Sequence, residues 1–215
     1  MKSLEVYINE KIKELPKNVK GLIVFDIDDT LLKVDSKDMC IYKKVPGSSK
    51  TIKLSTEEFA KDEDAKDPSK KSWFDLRDFN DPIKVYNSII SGTPLIRNLR
   101  IMDDYIQAGY DVCFLTARGC EKVIKKAITS FLKLRDEDGL LKELGNSFKT
   151  TLSHAVNDDF KKYPGKTDAD KKANVLRGLC KKYDKVVFVD DDSKNIIAAK
   201  ELNIENLKVI KAWAN

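Results

Sequence analysis

Residues 25 to 32 read Phe25-Asp26-Ile27-Asp28-Asp29-Thr30-Leu31-Leu32, directly after the apolar run Gly21-Leu22-Ile23-Val24. The pattern describes a buried strand that delivers three carboxylates to its carboxyl end. Taking even one carboxylate out of water costs several kcal/mol, roughly, unless it is paired or bound to a cation. Magnesium is the natural partner of such an oxygen-rich site. Alternation along an extended chain puts Asp26 and Asp28 on one side, where one can attack a substrate while the other moves a proton. The plainer alternative is an acidic turn that caps a following helix.

The rest of the chain alternates strand and helix signals, which predicts an α/β layered domain. Strands are expected at Gly21 to Asp26, Tyr110 to Thr116, Phe148 to Val156, Lys185 to Asp190 and Leu207 to Lys211. Leu4, Ile8, Ile12 and Leu15 recur at helical spacing, predicting an amphipathic N-terminal helix that ends near Pro16. Helix starts are signalled at Thr93-Pro94, at Asp168 with Asp170, and at Ser193, and Gly109 is a stop. Ligands of open α/β sheets bind at the carboxyl ends of strands, where these acidic and hydroxyl residues fall.

The stretch from about Lys33 to Ser91 is too long for an ordinary connection and reads as a functional insertion or a partly disordered segment. Ile41-Tyr42-Lys43-Lys44-Val45 and Thr51-Ile52-Lys53-Leu54 flank Pro46-Gly47-Ser48-Ser49, the pattern of a β-hairpin. Lys61 to Lys71 is highly charged and is expected to be mobile. Trp73, Phe74, Leu76 and Phe79 restore apolar character as core filler or a stacking surface, and Asp81-Pro82 opens a helix.

Asp26-Ile27-Asp28-Asp29-Thr30-Leu31 resembles the first signature of the haloacid dehalogenase (HAD) superfamily. Phe114-Leu115-Thr116-Ala117-Arg118 resembles the second, and Val187-Phe188-Val189-Asp190-Asp191-Asp192 the fourth, in the right order. The resemblance implies a Rossmann-like three-layer sandwich with a central, mostly parallel sheet. Its core would comprise residues 1–32 and 92–215, with a small C1-type cap at 33–91 between the first and second motifs.

The resemblance further implies a magnesium-dependent phosphomonoester hydrolase. Asp26 is then the nucleophile that becomes an aspartyl-phosphate, and Asp28 the acid and base. An aspartate at Asp28 argues against the superfamily's dehalogenases and P-type pumps. Thr116, with the next backbone N–H at Ala117, would hold a phosphate oxygen, and Arg118 would reach the same oxyanion or face solvent. Lys172, in Lys172-Ala173-Asn174-Val175-Leu176, is the preferred motif lysine, with Lys171 and Lys166 as alternatives. Magnesium would see Asp26, the backbone carbonyl of Asp28 and Asp191, with Asp190 supporting the shell. Asn195 stands where many relatives carry a further acid, and Asp192 caps the next helix.

The substrate is expected to be a phosphorylated small molecule or a nucleotide. A nucleotidase or polynucleotide-end phosphatase is the alternative among hydrolases, and a phosphotransferase or mutase shares the same first aspartates. A noncatalytic HAD-like protein that holds a metal or phosphate is the alternative of another class.

The net charge of +5 is a small difference between 40 basic and 35 acidic residues, interspersed along the chain. That suits anionic substrates but gives little support to nucleic-acid binding, which favours concentrated basic blocks. The four cysteines form no C-x-x-C pair and read as reduced thiols. No apolar stretch approaches the roughly 20 residues that span a bilayer, so no membrane association and a cytoplasmic location are expected. The single histidine, His154, supports neither a zinc cage nor a Ser-His-Asp triad and reads as structural.

Overall fold

A segment such as Gly21-Leu22-Ile23-Val24-Phe25, with no polar side chain, is stable as a strand only where both faces are covered. In the computed structural model, which describes residues 19–35, 38–136, 152–158 and 161–213, it forms β1 (Gly21–Phe25) with all five residues buried. It is the middle strand of a five-stranded sheet ordered β10-β9-β1-β7-β8. The others are β7 (Asp111–Thr116), β8 (Leu152–Ala155), β9 (Lys185–Asp190) and β10 (Leu207–Lys211), and every pairing is parallel.

Alternate residues of these strands enter two separate cores. Ile23, Phe25, Val112, Phe114, Val187 and Val189 pack with Leu99, Met102, Ile124 and Phe131 on one face. Leu22, Val24, Cys113, Leu115, Val186 and Phe188 pack with Leu176, Leu179 and Ala199 on the other. The first set of helices is α4 (Ile96–Gln107) and α5 (Glu121–Asp136), and the second is α6 (Asp168–Cys180) and α7 (Ser193–Glu201). This three-layer α/β arrangement is compatible with a Rossmann-like fold. Gly21 lets the layers close, since a Cβ there would meet the Tyr110 ring at 2.6 Å.

The chain runs outward from β1 through β7 to β8, then crosses back to β9 and β10 on the far side of β1. The direction of winding thus reverses between β1 and β9, and the crevice outside their carboxyl ends is where such sheets take ligands.

Between β1 and β7 lies a small lobe. Its three-stranded antiparallel sheet has β3 (Ile41–Lys44) between β4 (Thr51–Leu54) and β5 (Phe74–Asp75), which realises the expected hairpin. The chain leaves and re-enters through β2 (Leu32–Lys33) and β6 (Thr93–Pro94), paired antiparallel. Thr93-Pro94 is therefore a strand rather than a helix start, and the helix begins at Ile96.

The charged segment expected to be mobile is ordered. It forms α1 (Thr56–Lys61), α2 (Glu63–Lys66) and a 3-10 turn at Pro68–Trp73, capped by Ser55, Asp62 and Asp67. The reason is that its acids meet bases at pairing distance, within the segment and on β3: Lys43 meets Asp62 at 2.7 Å and Asp64 at 2.8 Å, and Lys70 meets Asp64 at 2.6 Å. Phe74 packs edge-on against Phe59, with ring centroids 5.1 Å apart.

Helix α3 (Pro82–Ser91), capped by Asp81 as the Asp81-Pro82 signal implies, buries Val85 and Ile89 in the core of the large sheet. The segment that stands apart from the core layers thus ends near Asn80. The N-terminal helix expected over Leu4 to Leu15, and the beginning of the strand expected from Phe148, lie outside the described residues.

Candidate functional site

The three signature segments meet because their strands are neighbours. Phe25 pairs with Phe114 of β7 and with Val189 of β9, so Asp26, Thr116 and Asp190 leave adjacent strand ends at the switch point. The Asp26 N–H continues the ladder one step further, donating to the Val189 carbonyl at 3.0 Å.

After Asp26 the chain folds into a tight turn. The N–H groups of Leu31 and Leu32 both donate to the Ile27 carbonyl, at 2.9 and 3.2 Å, and Asp29 adopts φ 53°, a left-handed conformation that aspartate tolerates better than most residues. Ile27 and Leu31 anchor the turn in the core, while Asp28 stays half-buried at its edge. Asn98, fully buried, holds the turn from beneath: its amide donates to the Thr30 carbonyl at 2.7 Å and to the Trp213 carbonyl at 3.2 Å.

Asp26, Asp190 and Asp191 bring one carboxylate oxygen each to within 4.8 Å of one another. Lys172 enters this cluster from the N-terminal half of α6, its ammonium 2.8 Å from Asp26 and 2.9 Å from Asp190, with only 2 % of the residue exposed. Of the three lysines named from the sequence, Lys172 is the one that reaches these carboxylates. Lys171 points instead to Asn157 and Asp168, and Lys166 is exposed. Burial opposes the charge on Lys172, but Asp26 and Asp190 outweigh it and hold the ammonium well above its ordinary value.

One buried cation does not balance three carboxylates. Burial, with Asp190 and Asp28 adding to it against Lys172, raises Asp26 well above the ordinary carboxylate range. Asp191 is pushed up to about 6 by burial and by Asp190. The cluster is short of positive charge.

The two carboxylates of β9 differ in what they have left to offer. Asp190, fully buried, receives Lys172, both oxygens receive the Asn195 amide, and Oδ1 also accepts the Asp192 N–H at 2.9 Å. Asp191 accepts one hydrogen bond, from the Thr30 hydroxyl to Oδ1 at 3.1 Å. Asn195 is thus a donor, and a carboxylate in its place would face Asp190 directly. Asp192 caps α7, its side chain accepting from the Lys194 N–H.

Thr116 is fully buried at the end of β7, and its hydroxyl oxygen accepts the Arg118 N–H at 3.2 Å. The Ala117 carbonyl is held by Asn157, which in turn receives Lys171. Arg118 neither faces solvent nor stands free: it is 1 % exposed, and its guanidinium grips both oxygens of Asp28 at 2.8 and 2.6 Å.

Beside Asp28 and Arg118 a cleft of about 760 Å³ opens towards the lobe, lined also by Asp29, Lys33, Met39, Glu57 and Phe79. His154 lies elsewhere, its Nδ1 3.0 Å from the hydroxyl of Tyr163, which donates to Glu121. The four cysteines are free thiols. Among the described residues no helix is long and apolar enough to cross a membrane.

Asn98, Asn157, Asn195 and Ser88, a partner of Arg118 through its hydroxyl, carry no signature in the sequence. Only Asn195, five positions after Asp190 at the start of a helix, had a positional hint. No protein-family model matches the chain, and no curated protein matches it.

Proposed function

We propose that this chain is a magnesium-dependent phosphomonoester hydrolase of the HAD type, acting on a small phosphorylated molecule through an aspartyl-phosphate on Asp26. The observation that carries the reading is the buried Lys172, bridging Asp26 and Asp190 beside Asp191 at the sheet's switch point. Three carboxylates around one fixed cation leave an excess of negative charge, which a divalent ion would offset so that a phosphate group could approach Asp26.

The donors suit magnesium, being oxygen only. Asp26, Asp191 and the backbone carbonyl of Asp28 would hold the ion, since the Asp190 oxygens are already taken by Lys172, Asn195 and the Asp192 N–H. When bound, it would supply charge neutralisation for the nucleophile and the transferred phosphoryl group.

In the first half-reaction an Asp26 oxygen attacks phosphorus, the bond to the leaving oxygen breaks, and Asp28 gives that oxygen a proton. In the second, Asp28 takes a proton from water as the water attacks phosphorus, the bond to Asp26 breaks, and inorganic phosphate leaves. Lys172 offsets the charge that builds on the phosphoryl oxygens, and the Thr116 hydroxyl with the Ala117 N–H orients them.

The lobe around residues 38–80 serves as the cap. Its cleft bears on the leaving group: Asp28 is paired with Arg118 and Glu57 with Lys61, and Asp29 and Asp35 stand with Lys33 on the wall. Such a wall suits a neutral leaving group better than a polynucleotide, and four free thiols suit the reducing cytoplasm.

The test is phosphate release from sugar phosphates, nucleotides and phosphorylated oligonucleotides, with magnesium or with chelator, for wild type and Asp26→Asn. Release that requires both magnesium and Asp26 is expected, with loss of about three orders of magnitude or more in the variant. Release that survives Asp26→Asn, or none from any compound, would sink the reading.

A further inference from the structure

Arg118 has almost no donor left for a ligand. Nε and Nη2 donate to Asp28 at 2.8 and 2.6 Å, and Nη1 donates to the Ser88 hydroxyl at 2.8 Å and the Val85 carbonyl at 3.3 Å. Four of the five N–H groups of the guanidinium are thereby committed, and both Asp28 oxygens are engaged by one planar fork. A phosphate at the Thr116 end would find this side chain occupied.

The other end of the contact is helix α3, which supplies both Val85 and Ser88 and follows directly from the root of the lobe. The same root holds the loop that carries Arg118: Gly119 donates its N–H to the Phe79 carbonyl at 3.0 Å, and the Cys120 thiol contacts the Asn80 carbonyl at 3.2 Å. Ser88 also touches the Met39 sulfur at 3.0 Å, and Met39 lines the cleft together with Asp28 and Arg118. A continuous, buried set of contacts therefore joins the cleft wall and the lobe root to the carboxylate of Asp28.

We propose that Arg118 is a positioning residue for Asp28, anchored by Ser88 and Val85 of α3, and not a group that binds the substrate phosphate. The proposal rests on the phosphatase reading above. An acid and base that serves a leaving oxygen in one step and a water in the next must keep its carboxylate plane in one orientation through both. A planar fork fixes that plane, whereas a lysine at the same place would supply charge without it.

Two esters separate the possibilities. 4-Nitrophenolate departs without a proton, so its release reports attack by Asp26, while later turnovers wait for Asp28 to activate water. Glycerol phosphate needs Asp28 in both steps. With magnesium present, Arg118→Lys is expected to give a nitrophenolate burst stoichiometric with enzyme, followed by slow turnover. Its kcat on glycerol phosphate should fall about 100-fold with no rise in KM.

Ser88→Ala, which keeps the fork and removes its anchor, should change both readouts in the same direction by about 5-fold. It decides the matter alone if melting curves show that Arg118→Lys does not fold. A raised KM on both esters without a burst would make Arg118 a phosphate ligand and overturn the proposal. Equal losses on both esters without a burst would overturn it in favour of a purely structural role. Wild type that releases phosphate from neither ester would bring down the phosphatase reading itself, and the proposal with it.

Discussion

The large sheet and the small lobe are held together by different physics. Every residue of β1 is buried, and its side chains divide between two apolar cores. Between Met39 and Asn80 only Met39, Ile41 and Asp78 are buried among the residues whose burial is described. The lobe instead relies on caps and ion pairs, with Lys43 gripping Asp62 and Asp64, Lys70 on Asp64, and Arg77 on Asp75 at 2.5 Å. Ion pairs this near the surface are screened by solvent and contribute little to stability one by one. A rigid base that fixes three strand ends is thus joined to an attachment whose order is local and cheap to undo.

The contrast can be broken most forcefully from the core side. Phe114→Ala, at a fully buried position of β7, should destabilise the whole protein by about 3–5 kcal/mol, read as a fall in the denaturation midpoint. Ile52→Ala in β4, where the side chain is half exposed, should leave that midpoint within about 0.5 kcal/mol. Equal effects at the two positions would mean that lobe and sheet unfold as one unit.

A second test uses the lobe's one buried charge. Asp78 receives the Cys40 N–H at 3.1 Å, the Tyr42 hydroxyl at 3.2 Å and the Lys84 ammonium at 2.6 Å. Asp78→Ala leaves these donors without their acceptor and should cost about 1–2 kcal/mol. The cost should appear as faster proteolysis and hydrogen exchange around residues 40–80, with β1 amides unchanged.

The third test concerns pH and metal. Asp191 sits above its ordinary 3.8, at about 6, so its protonated form stabilises the folded state. That contribution is fully present below pH 3.8 and is lost as pH rises through about 6. Melting of chelator-treated protein should therefore weaken by about 1–2 kcal/mol over this range, and Asp191→Asn should flatten the trend. Magnesium should stabilise more at about pH 7 than at about pH 5, because the ion competes with the proton for the same oxygens. The smallest effect is that of salt. Roughly 1 M sodium chloride should raise exchange in the lobe a few-fold while leaving the large sheet untouched.

Hydrophobic patterning made the large sheet legible: β1, with no polar position, announces its burial, and the apolar runs of β9 and β10 fall at Lys185–Asp190 and Leu207–Lys211, as the sequence reading places them. Charge density misled in the lobe. Between Lys61 and Lys71 the composition matches that of a disordered segment, yet the order of signs matters more than their number, because it decides whether neighbours attract at helical spacing. Asp26 and Asp191 could be placed from strand ends alone. Lys172 could be preferred but not separated from Lys171, since which of two adjacent helical residues points inward depends on how α6 sits on the sheet. Arg118 was legible as a residue but not as a contact: its direction depends on Ser88 and Val85, thirty residues earlier in the chain, and nothing local announces that meeting.

The hydrogen bonds beneath the turn after Asp26 carry an optical consequence. The chain has two tryptophans, and each belongs to one of the contrasted regions. Trp213 exchanges backbone hydrogen bonds with Asn98, the residue that also holds Thr30, and the Arg97 guanidinium lies 3.5 Å from its ring centroid. Trp73 stands in the lobe, with the Lys70 ammonium 5.2 Å from its ring. Replacing either indole by phenylalanine leaves a single tryptophan, so the indole emission of one variant follows the floor of the crevice and that of the other follows its roof, without any added dye.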